Sequence, residues 1–346
     1  MRDVDREIPE ETPETEIKTI GVEYASPRIG KRTTAVLIDG ACLILSCIIL
    51  FMLLFMGTQN LGLYKDARNT IHDVEMSTGL YVQPEDGSAP ELLTDRYEDD
   101  SVITPGQLNE IYSDALDDFF ASEIFFADGS GISFYNQQKA EHTDLFYKVD
   151  GLTEDDPGQY QPLAGANPEA LMDFYSTCID NSVGFLTNVP PYTEASQTLM
   201  WAAIVTGILT YVICYTIFFF AVPFAFRRGF RTLGMAAARY GRVYVDGLNP
   251  TAGRFALHFL WSFLTLGIGF VALFIPVAIS ITMAMFGRFS QSLPDYLSNT
   301  YPVDMTHDSI YFTPREYAEA LASGQAVSSA QSPEEKEAQR REEGDR

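Results

Sequence analysis

The chain has 346 residues, of which 46% are hydrophobic, and a formal net charge of −24 at pH 7. This acidic balance argues against a nucleic-acid-binding protein, which needs a basic face. The sequence has no phosphate-cradling glycine loop, no nucleophile elbow and no spacing typical of zinc or calcium ligands. We therefore predict no enzymatic activity, no catalytic residue, no metal site and no cofactor.

The chain begins with a tail, residues 1–29, in which glutamates alternate with prolines. Such a segment has too little apolar surface to fold, so we predict a disordered cytoplasmic tail. Residues 30–56 follow as the first membrane helix, and between 36 and 56 the only carboxylate or base is Asp39. The apolar block is too long for the core of a signal peptide and lacks a small-residue cleavage site, so we expect it to remain as a signal anchor.

An acidic segment, residues 57–197, separates the first two apolar blocks. Residues 57–198 contain 26 Asp and Glu against five bases. Its aromatic clusters and two Asn-Pro or Thr-Pro helix starts, at Thr104 and Asn167, predict a small folded insert that is mainly helical. Cys178 is its one cysteine, so no internal disulfide is expected.

The second membrane helix is predicted over 198–226, and a basic loop, residues 227–254, comes next. The loop carries six arginines against Asp246 alone, and a second basic cluster at 28–32 precedes the first helix. Since basic residues flank membrane spans on the cytoplasmic side, we predict a multi-pass protein of the cell membrane with a cytoplasmic N-terminus. The insert 57–197 is then extracytoplasmic.

The third membrane segment, residues 255–286, has an awkward length. Its 32 residues would form a helix of about 48 Å, too long for a hydrocarbon core of ~30 Å and too short for two full spans. Glycines at 267 and 269 favour a re-entrant pair of short helices over a single span. The re-entrant form returns the closing segment 287–303 to the cytoplasmic side, whereas a single span would place it across the membrane.

An acidic, largely disordered tail is predicted over residues 304–346. Together these elements predict an all-α integral membrane protein with about three membrane helical segments and a small, mainly helical extracytoplasmic insert.

Asp39 is the most informative residue of the first helix. It lies seven positions after Arg32, so both side chains point along one helix face. A carboxylate within hydrocarbon costs about 2.5–3.5 kcal/mol and needs a partner base, a bound cation, a polar cavity or a proton. We favour an Asp39 that is paired with Arg32 or linked to an ion. The alternative is an aspartate close enough to the interface to reach water.

These residues resemble the RDD family of bacterial membrane proteins, over about 30–56 and 198–303. Arg32 and Asp39, with Ala35 and Ile38 in register, resemble the start of the family's first helix. Three later segments resemble its other motifs. The T-x-G-K segment is matched at Gly229, Thr232, Leu233 and Gly234, and the D-G turn with its valine at Val243, Asp246 and Gly247. The closing motif is matched at Gln291, Asp295 and Thr300. Met235 stands where the family has lysine, Pro294 replaces a frequent histidine or glycine, and the long insert lies outside the resemblance.

The resemblance implies a helical membrane module for which monovalent cation or proton transport has been proposed. Arg32, Asp39 and Asp295 would form an ion-linked, proton-linked or structural membrane site, and Gly229, Thr232 and Gly234 a cytoplasmic motif. Three spans are few for a complete pathway, so a transporter would require a homo-oligomer in the lipid bilayer.

Two other functions remain open. The protein could be a non-transporting membrane anchor or sensor whose acidic external domain binds a partner. A lipid-handling or assembly factor is a third interpretation.

Overall fold

The computed structural model describes residues 24–97, 103–269, 274–286, 291–306 and 309–323. Most of both predicted tails therefore lies outside the described residues. The protein is mainly helical, and its helices are α1 Ile29–Thr58, α2 Gly62–Ser77, α3 Leu93–Tyr97, α4 Pro105–Ala121, α5 Ser130–Glu141, α6 Pro168–Ser182, α7 Pro190–Thr216, α8 Val222–Ala225, α9 Leu233–Ala237, α10 Ala252–Ser262, α11 Ile275–Phe286, α12 Leu293–Leu297 and α13 Pro314–Ala322.

In the described part of the chain, six short strands form three antiparallel pairs, which the all-α prediction omitted. The pairs are β1 Tyr81–Val82 with β2 Glu91–Leu92, β3 Phe146–Lys148 with β4 Tyr160–Pro162, and β5 Tyr240–Tyr244 with β6 Thr300–Asp304. Short 3-10 helices occur at Pro157–Gln159 and Val183–Asn188.

The chain divides into two compact units. The first unit comprises Met1–Leu50 and Leu209–Arg346, and the second unit is Phe51–Ile208, which contains the predicted insert. The boundary falls within the long helices α1 and α7.

Two helices in the described part of the chain are long and apolar enough to cross a membrane. They are α1 and the continuous helix Pro190–Ala225, whose apolar windows are only 6% and 22% buried. A core helix of a soluble protein would bury most of that surface, so these helices expose their apolar side chains as a lipid-facing helix does. The second helix contains a π-helical turn, Ile217–Ala221, just before Pro223, which has no N–H to donate to the preceding turn.

The predicted third membrane segment is not one continuous helix. It divides into α10, which runs through a π-helical turn to Gly267, and the apolar helix α11, which begins at Ile275. Residues 270–273, between them, lie outside the described residues. Phe274 has a φ of +61°, a left-handed conformation that no regular helix passes through.

The strands β5 and β6 fix where the following segment returns. Tyr244 lies opposite Thr300 and Tyr240 opposite Asp304. Because β5 precedes α10 and β6 follows α12, the chain between them leaves this sheet and comes back to it. The closing segment therefore lies beside the basic loop 227–254.

The second unit has an aromatic core of its own. Helices α4 and α6 bury Leu116, Phe119 and Ile179 almost completely. The predicted helix starts are present, with Thr104 and Gln107 forming a capping box before α4 and Asn167 Oδ1 accepting the Glu169 N–H before α6. The insert is thus a folded body with a sequestered hydrophobic core.

Candidate functional site

Asp39 is held by the segment that follows the second long helix. Ala35 and Asp39, one turn apart, are the buried residues of α1. The Asp39 carboxylate accepts a hydrogen bond from Thr232 Oγ1 at 2.5 Å and one from the Gly234 N–H at 2.7 Å. Thr232 also caps α9, because its oxygen accepts the Met235 N–H at 3.2 Å. The Thr232 hydroxyl proton is therefore directed at Asp39.

Gly234 allows α9 to approach α1 closely enough for these hydrogen bonds. A Cβ atom placed on Gly234 would lie 2.1 Å from the Ala35 carbonyl oxygen and 2.8 Å from its Cα. These distances are far below contact distance, so no other residue fits without moving a backbone. Met235, where the family resemblance has lysine, is buried against Ala35 and Tyr240.

Gly229 shapes the turn before this motif. Its φ is +80°, its N–H donates to Asn249 Oδ1 at 2.6 Å, and its carbonyl accepts the Arg242 N–H at 3.1 Å. A Cβ atom here would meet Ile310 Cδ1 at 2.8 Å. Glycine is thus required by both conformation and space, as its place in the motif suggests.

Asp295, the second aspartate, is buried at 4% exposure and has a charged partner. Arg242 Nε donates to its Oδ1 at 3.3 Å, and Thr300 Oγ1 donates to the same oxygen at 3.3 Å. Ser292 caps α12 and donates its N–H and hydroxyl to Oδ2 at 3.1 and 2.5 Å. Burial opposes ionisation, but the charge of Arg242 and the Ser292 hydrogen bonds hold the pKa of Asp295 below its usual value.

His258 completes the surroundings of Asp295. Its Nδ1 lies 3.0 Å from Ser298 Oγ and 3.7 Å from Asp295 Oδ1, and the ring is buried. Because the Ser298 hydroxyl donates to the Pro294 carbonyl at 2.7 Å, its oxygen is free to accept the Nδ1 proton. The hydrogen bond between His258 and Ser298 therefore connects α10 to the end of α12.

Among the described residues, no hydrogen bond joins Arg32 to Asp39. Among the described residues, the hydrogen-bond donors to Asp39 are Thr232 and Gly234, whereas Arg32 Nη1 donates to the Ala284 carbonyl at 3.0 Å. Ala284 lies in the last turn of α11, where carbonyls have no partner within the helix and a cation is favoured. Helical spacing put both residues on one face of α1 but could not identify the segments that pack there.

Tyr240 lies close enough to four charged side chains for each of them to affect its pKa. Burial raises the pKa of this tyrosine, Arg242 and Arg32 oppose the rise, and Asp295 and Asp39 add to it. All four charges therefore act on one side chain in β5. The structure brings Arg32, Asp39 and Asp295 into one region of the first unit, together with Thr232 and Gly234.

Sequence reasoning missed Arg242 and His258 as members of this site. Arg242 was counted only as one of the loop arginines that indicate orientation. Its position in β5, between buried Gly241 and Val243, follows from pairing with β6, which is 60 residues away along the chain and invisible to local patterns. In the described part of the chain, no group of three or more His, Cys, Asp or Glu is placed to hold a metal ion.

Comparison with known families agrees with the earlier resemblance. Residues 175–299 match the model of the RDD family, whose members are membrane proteins. The matched residues include Thr232, Gly234, Arg242 and Asp295. Asp39 lies before the matched segment in sequence, but it accepts hydrogen bonds from Thr232 and Gly234 within it. No curated protein and no solved structure matches the chain. The family match and the two membrane-length helices therefore indicate that this part of the chain is similar to the RDD family of membrane proteins.

Proposed function

We propose that this protein, which is similar to the RDD family over residues 175–299, couples a proton or a monovalent cation to a conformational change at Asp39, as part of a multi-pass, oligomeric transport protein of the cell membrane. The observation that carries the proposal is a buried carboxylate, 8% exposed, whose two hydrogen bonds both come from uncharged donors. Its charge is offset by no basic side chain in direct contact among the described residues.

The two aspartates are proposed to have different roles. Asp295 has Arg242 in contact and several further donors, so its charge is compensated and it ties α12 to β5. Among the described residues, Asp39 has Thr232 and Gly234 as its hydrogen-bond donors, and a buried carboxylate in this condition gains from taking up a proton or a cation. Asp39 is accordingly the exchanging group and Asp295 the fixed one.

Exchange at Asp39 would change the contact between α1 and α9. A proton or cation on the carboxylate competes with the Thr232 hydroxyl and the Gly234 N–H for the same oxygens. Weakening these hydrogen bonds loosens α9 from α1 at the Ala35 contact. A local charge change is thereby converted into a movement of the segment that leads into β5.

A flux assay tests the proposal. The full chain is reconstituted in liposomes, and sodium and proton fluxes are measured for the wild type, Asp39→Asn and Asp246→Asn. Asp39→Asn should insert normally, since it removes a buried charge, but should show no ion-linked flux. Asp246→Asn, which removes a more exposed carboxylate of the same unit, should retain wild-type flux. Wild-type sodium or proton flux in Asp39→Asn would contradict the proposal.

A second function is favoured by the insert. The second unit buries an aromatic core while its surface keeps an excess of carboxylates, as a folded recognition domain would. In this alternative the helices only anchor a domain that binds a partner outside the cell. Purified wild-type oligomers that show no sodium or proton flux would favour it.

A further inference from the structure

Helix α2 begins immediately after the first membrane helix. Only three residues separate the end of α1 at Thr58 from the start of α2 at Gly62, and the turn is closed by the Leu61 N–H donating to the Thr58 carbonyl at 3.0 Å. Phe55 of α1 packs edge to face on Tyr64 of α2, with ring centroids 6.0 Å apart. The first turns of α2 are therefore held at the boundary where α1 leaves the hydrocarbon.

The start of α2 presents apolar side chains and then bases. Leu61 and Leu63 are 59% and 72% exposed, although the second unit has a well-formed core that could bury such residues. Lys65, Arg68 and His72 follow at spacings of three and four residues, which puts them on one face of the helix. Exposed leucines beside a basic face are typical of a helix that lies in a lipid interface.

The two bases of α2 are exceptional in the insert. Lys65 and Arg68 are two of the five bases among 26 carboxylates in residues 57–198. Both are exposed, and neither forms an ion pair with another residue in the described part of the chain. A domain rich in carboxylates could have provided ion-pair partners for both side chains. Because Lys65 and Arg68 form no such pair in the described part of the chain, both cations are available to an external anion.

A groove of about 450 Å³ lies along this face of α2. Lys65, Arg68 and His72 line one wall, and the segment 87–90 lines the other. Gln83 braces the two walls, because its Oε1 accepts from His72 Nε2 at 2.8 Å and its Nε2 donates to the Ser88 carbonyl at 2.6 Å. These hydrogen bonds hold the two walls in place, and the position of the groove beside Lys65 and Arg68 suits a compact anion.

One carboxylate, Glu75, lines the far end of the groove. Burial raises the pKa of Glu75, with the charge of His72 opposing the rise. Glu75 is two turns beyond Arg68 along α2, and Asp66, next to Lys65, does not line the groove, so the groove wall nearest the membrane is formed by the two bases.

We propose that this groove binds the phosphate of an anionic phospholipid headgroup in the leaflet that the insert faces. Lys65 and Arg68 contact the phosphate, and Leu61 and Leu63 enter the acyl boundary beside it. The remainder of the insert is acidic and is repelled by an anionic membrane surface. The α2 groove is then the point at which the insert is held against the membrane, independently of the chemistry at Asp39.

Photochemical labelling in vesicles tests the proposal. The full chain is reconstituted in phosphatidylcholine vesicles that contain a little phosphatidylglycerol with a photoreactive headgroup, and labelled peptides are mapped by mass spectrometry. In the wild type, label should be concentrated on residues 62–77 and 83–90. The variant Lys65→Gln/Arg68→Gln should lose about tenfold or more of that label, since each base near an anionic surface contributes roughly a kcal/mol.

Two control variants separate charge from folding. Arg96→Gln/Lys148→Gln removes the same charge from exposed positions of the same insert and should label α2 as the wild type does. Lys65→Arg/Arg68→Lys keeps the charge and should retain the label. Equal labelling of α2 in Lys65→Gln/Arg68→Gln and the wild type would overturn the proposal.

Competition identifies the source of the phosphate. Unlabelled phosphatidylglycerol should displace the probe from α2, whereas inorganic phosphate at millimolar concentration should not. Displacement by inorganic phosphate as effective as by the lipid would contradict the assignment to a headgroup and identify a site for a soluble anion.

Discussion

At the scale of single residues, the two aspartates that give the site its character differ in their partners. Asp39 is held by a hydroxyl and a backbone N–H, whereas Asp295 is held by a guanidinium, two hydroxyls and a backbone N–H. This contrast separates a carboxylate that can exchange its partners from one that is fixed. Two substitutions test the contacts on which the contrast depends.

The first substitution is Gly234→Ala, which should destabilise the first unit. The added methyl would lie 2.1 Å from the Ala35 carbonyl oxygen, so α9 must move away from α1 and release Asp39. Overpacking of this kind costs about 1–3 kcal/mol. Thermal unfolding of the detergent-purified protein should show a lower midpoint for this variant. Gly253→Ala, where no atom lies within 4 Å of the new methyl, should unfold like the wild type.

The second substitution is Arg242→Gln, which leaves Asp295 buried without its cation. Breaking a buried ion pair from one side costs about 3–5 kcal/mol. The double variant Arg242→Gln/Asp295→Asn should recover much of that loss in the same unfolding assay. Arg254→Gln breaks the more exposed pair with Asp246 and should cost at most about 1 kcal/mol. Equal losses from Arg242→Gln and Arg254→Gln would contradict the assigned importance of the Asp295 pair.

Sequence reasoning found the aspartates but not their partners. A lone carboxylate in an apolar block is conspicuous, which identified Asp39, and the closing motif identified Asp295. Helical periodicity reports which residues share a face of one helix, so it suggested Arg32 as the partner. The donors that Asp39 uses lie nearly 200 residues later in the chain, and only tertiary packing brings them there.

At the scale of elements, the third apolar block shows what length and composition can predict. Its 32 residues were too many for one span and too few for two, and the helix does break, into α10 with its π-helical turn and α11. The predicted glycine positions lie at the end of the π-helical turn. The sheet of β5 and β6 was not predicted, because two five-residue strands that contain Arg242 and Pro302 carry a weak alternation signal.

The insert contains an ion pair between a buried lysine and a half-buried aspartate, which makes its stability depend on pH. Lys139 Nζ lies 3.2 Å from Asp117 Oδ1 and stacks over the Tyr135 ring. Burial raises the pKa of Asp117, with Lys139 opposing the rise, and burial also lowers the pKa of Lys139. A carboxyl whose pKa is higher in the folded state stabilises that state fully below its unfolded pKa and loses this contribution as pH rises through the folded value.

Hydrogen exchange of the full chain can isolate this contribution. The opening free energy of α4 and α5 should fall as pH rises from about 4 through the raised pKa of Asp117. Asp117→Asn should remove that fall, and the exposed Asp118→Asn should retain it. Identical pH profiles for the wild type and Asp117→Asn would show that Asp117 does not govern the dependence.

At the scale of the whole molecule, orientation is the property on which the account depends. Sequence reasoning predicts a cytoplasmic basic loop and an external insert from the distribution of arginines. Cys178 is the one native cysteine of the insert, but it is buried and burial raises its thiol pKa to about 12, so it reacts poorly with thiol reagents. Burial could not be anticipated from a single cysteine in an acidic segment, and orientation must be measured at introduced cysteines.

If the closing segment returns to the side of the basic loop, Asp39 and Asp295 belong to one site, and thiol labelling can test this arrangement. In a chain whose four native cysteines are replaced by alanine, single cysteines are introduced at exposed positions Ala237, Ser309 and Thr143. A membrane-impermeant thiol reagent is then applied to intact spheroplasts and to inverted vesicles. We expect Ala237→Cys and Ser309→Cys to react only in inverted vesicles and Thr143→Cys only in spheroplasts. Reaction of Ser309→Cys in spheroplasts, together with Thr143→Cys, would contradict it.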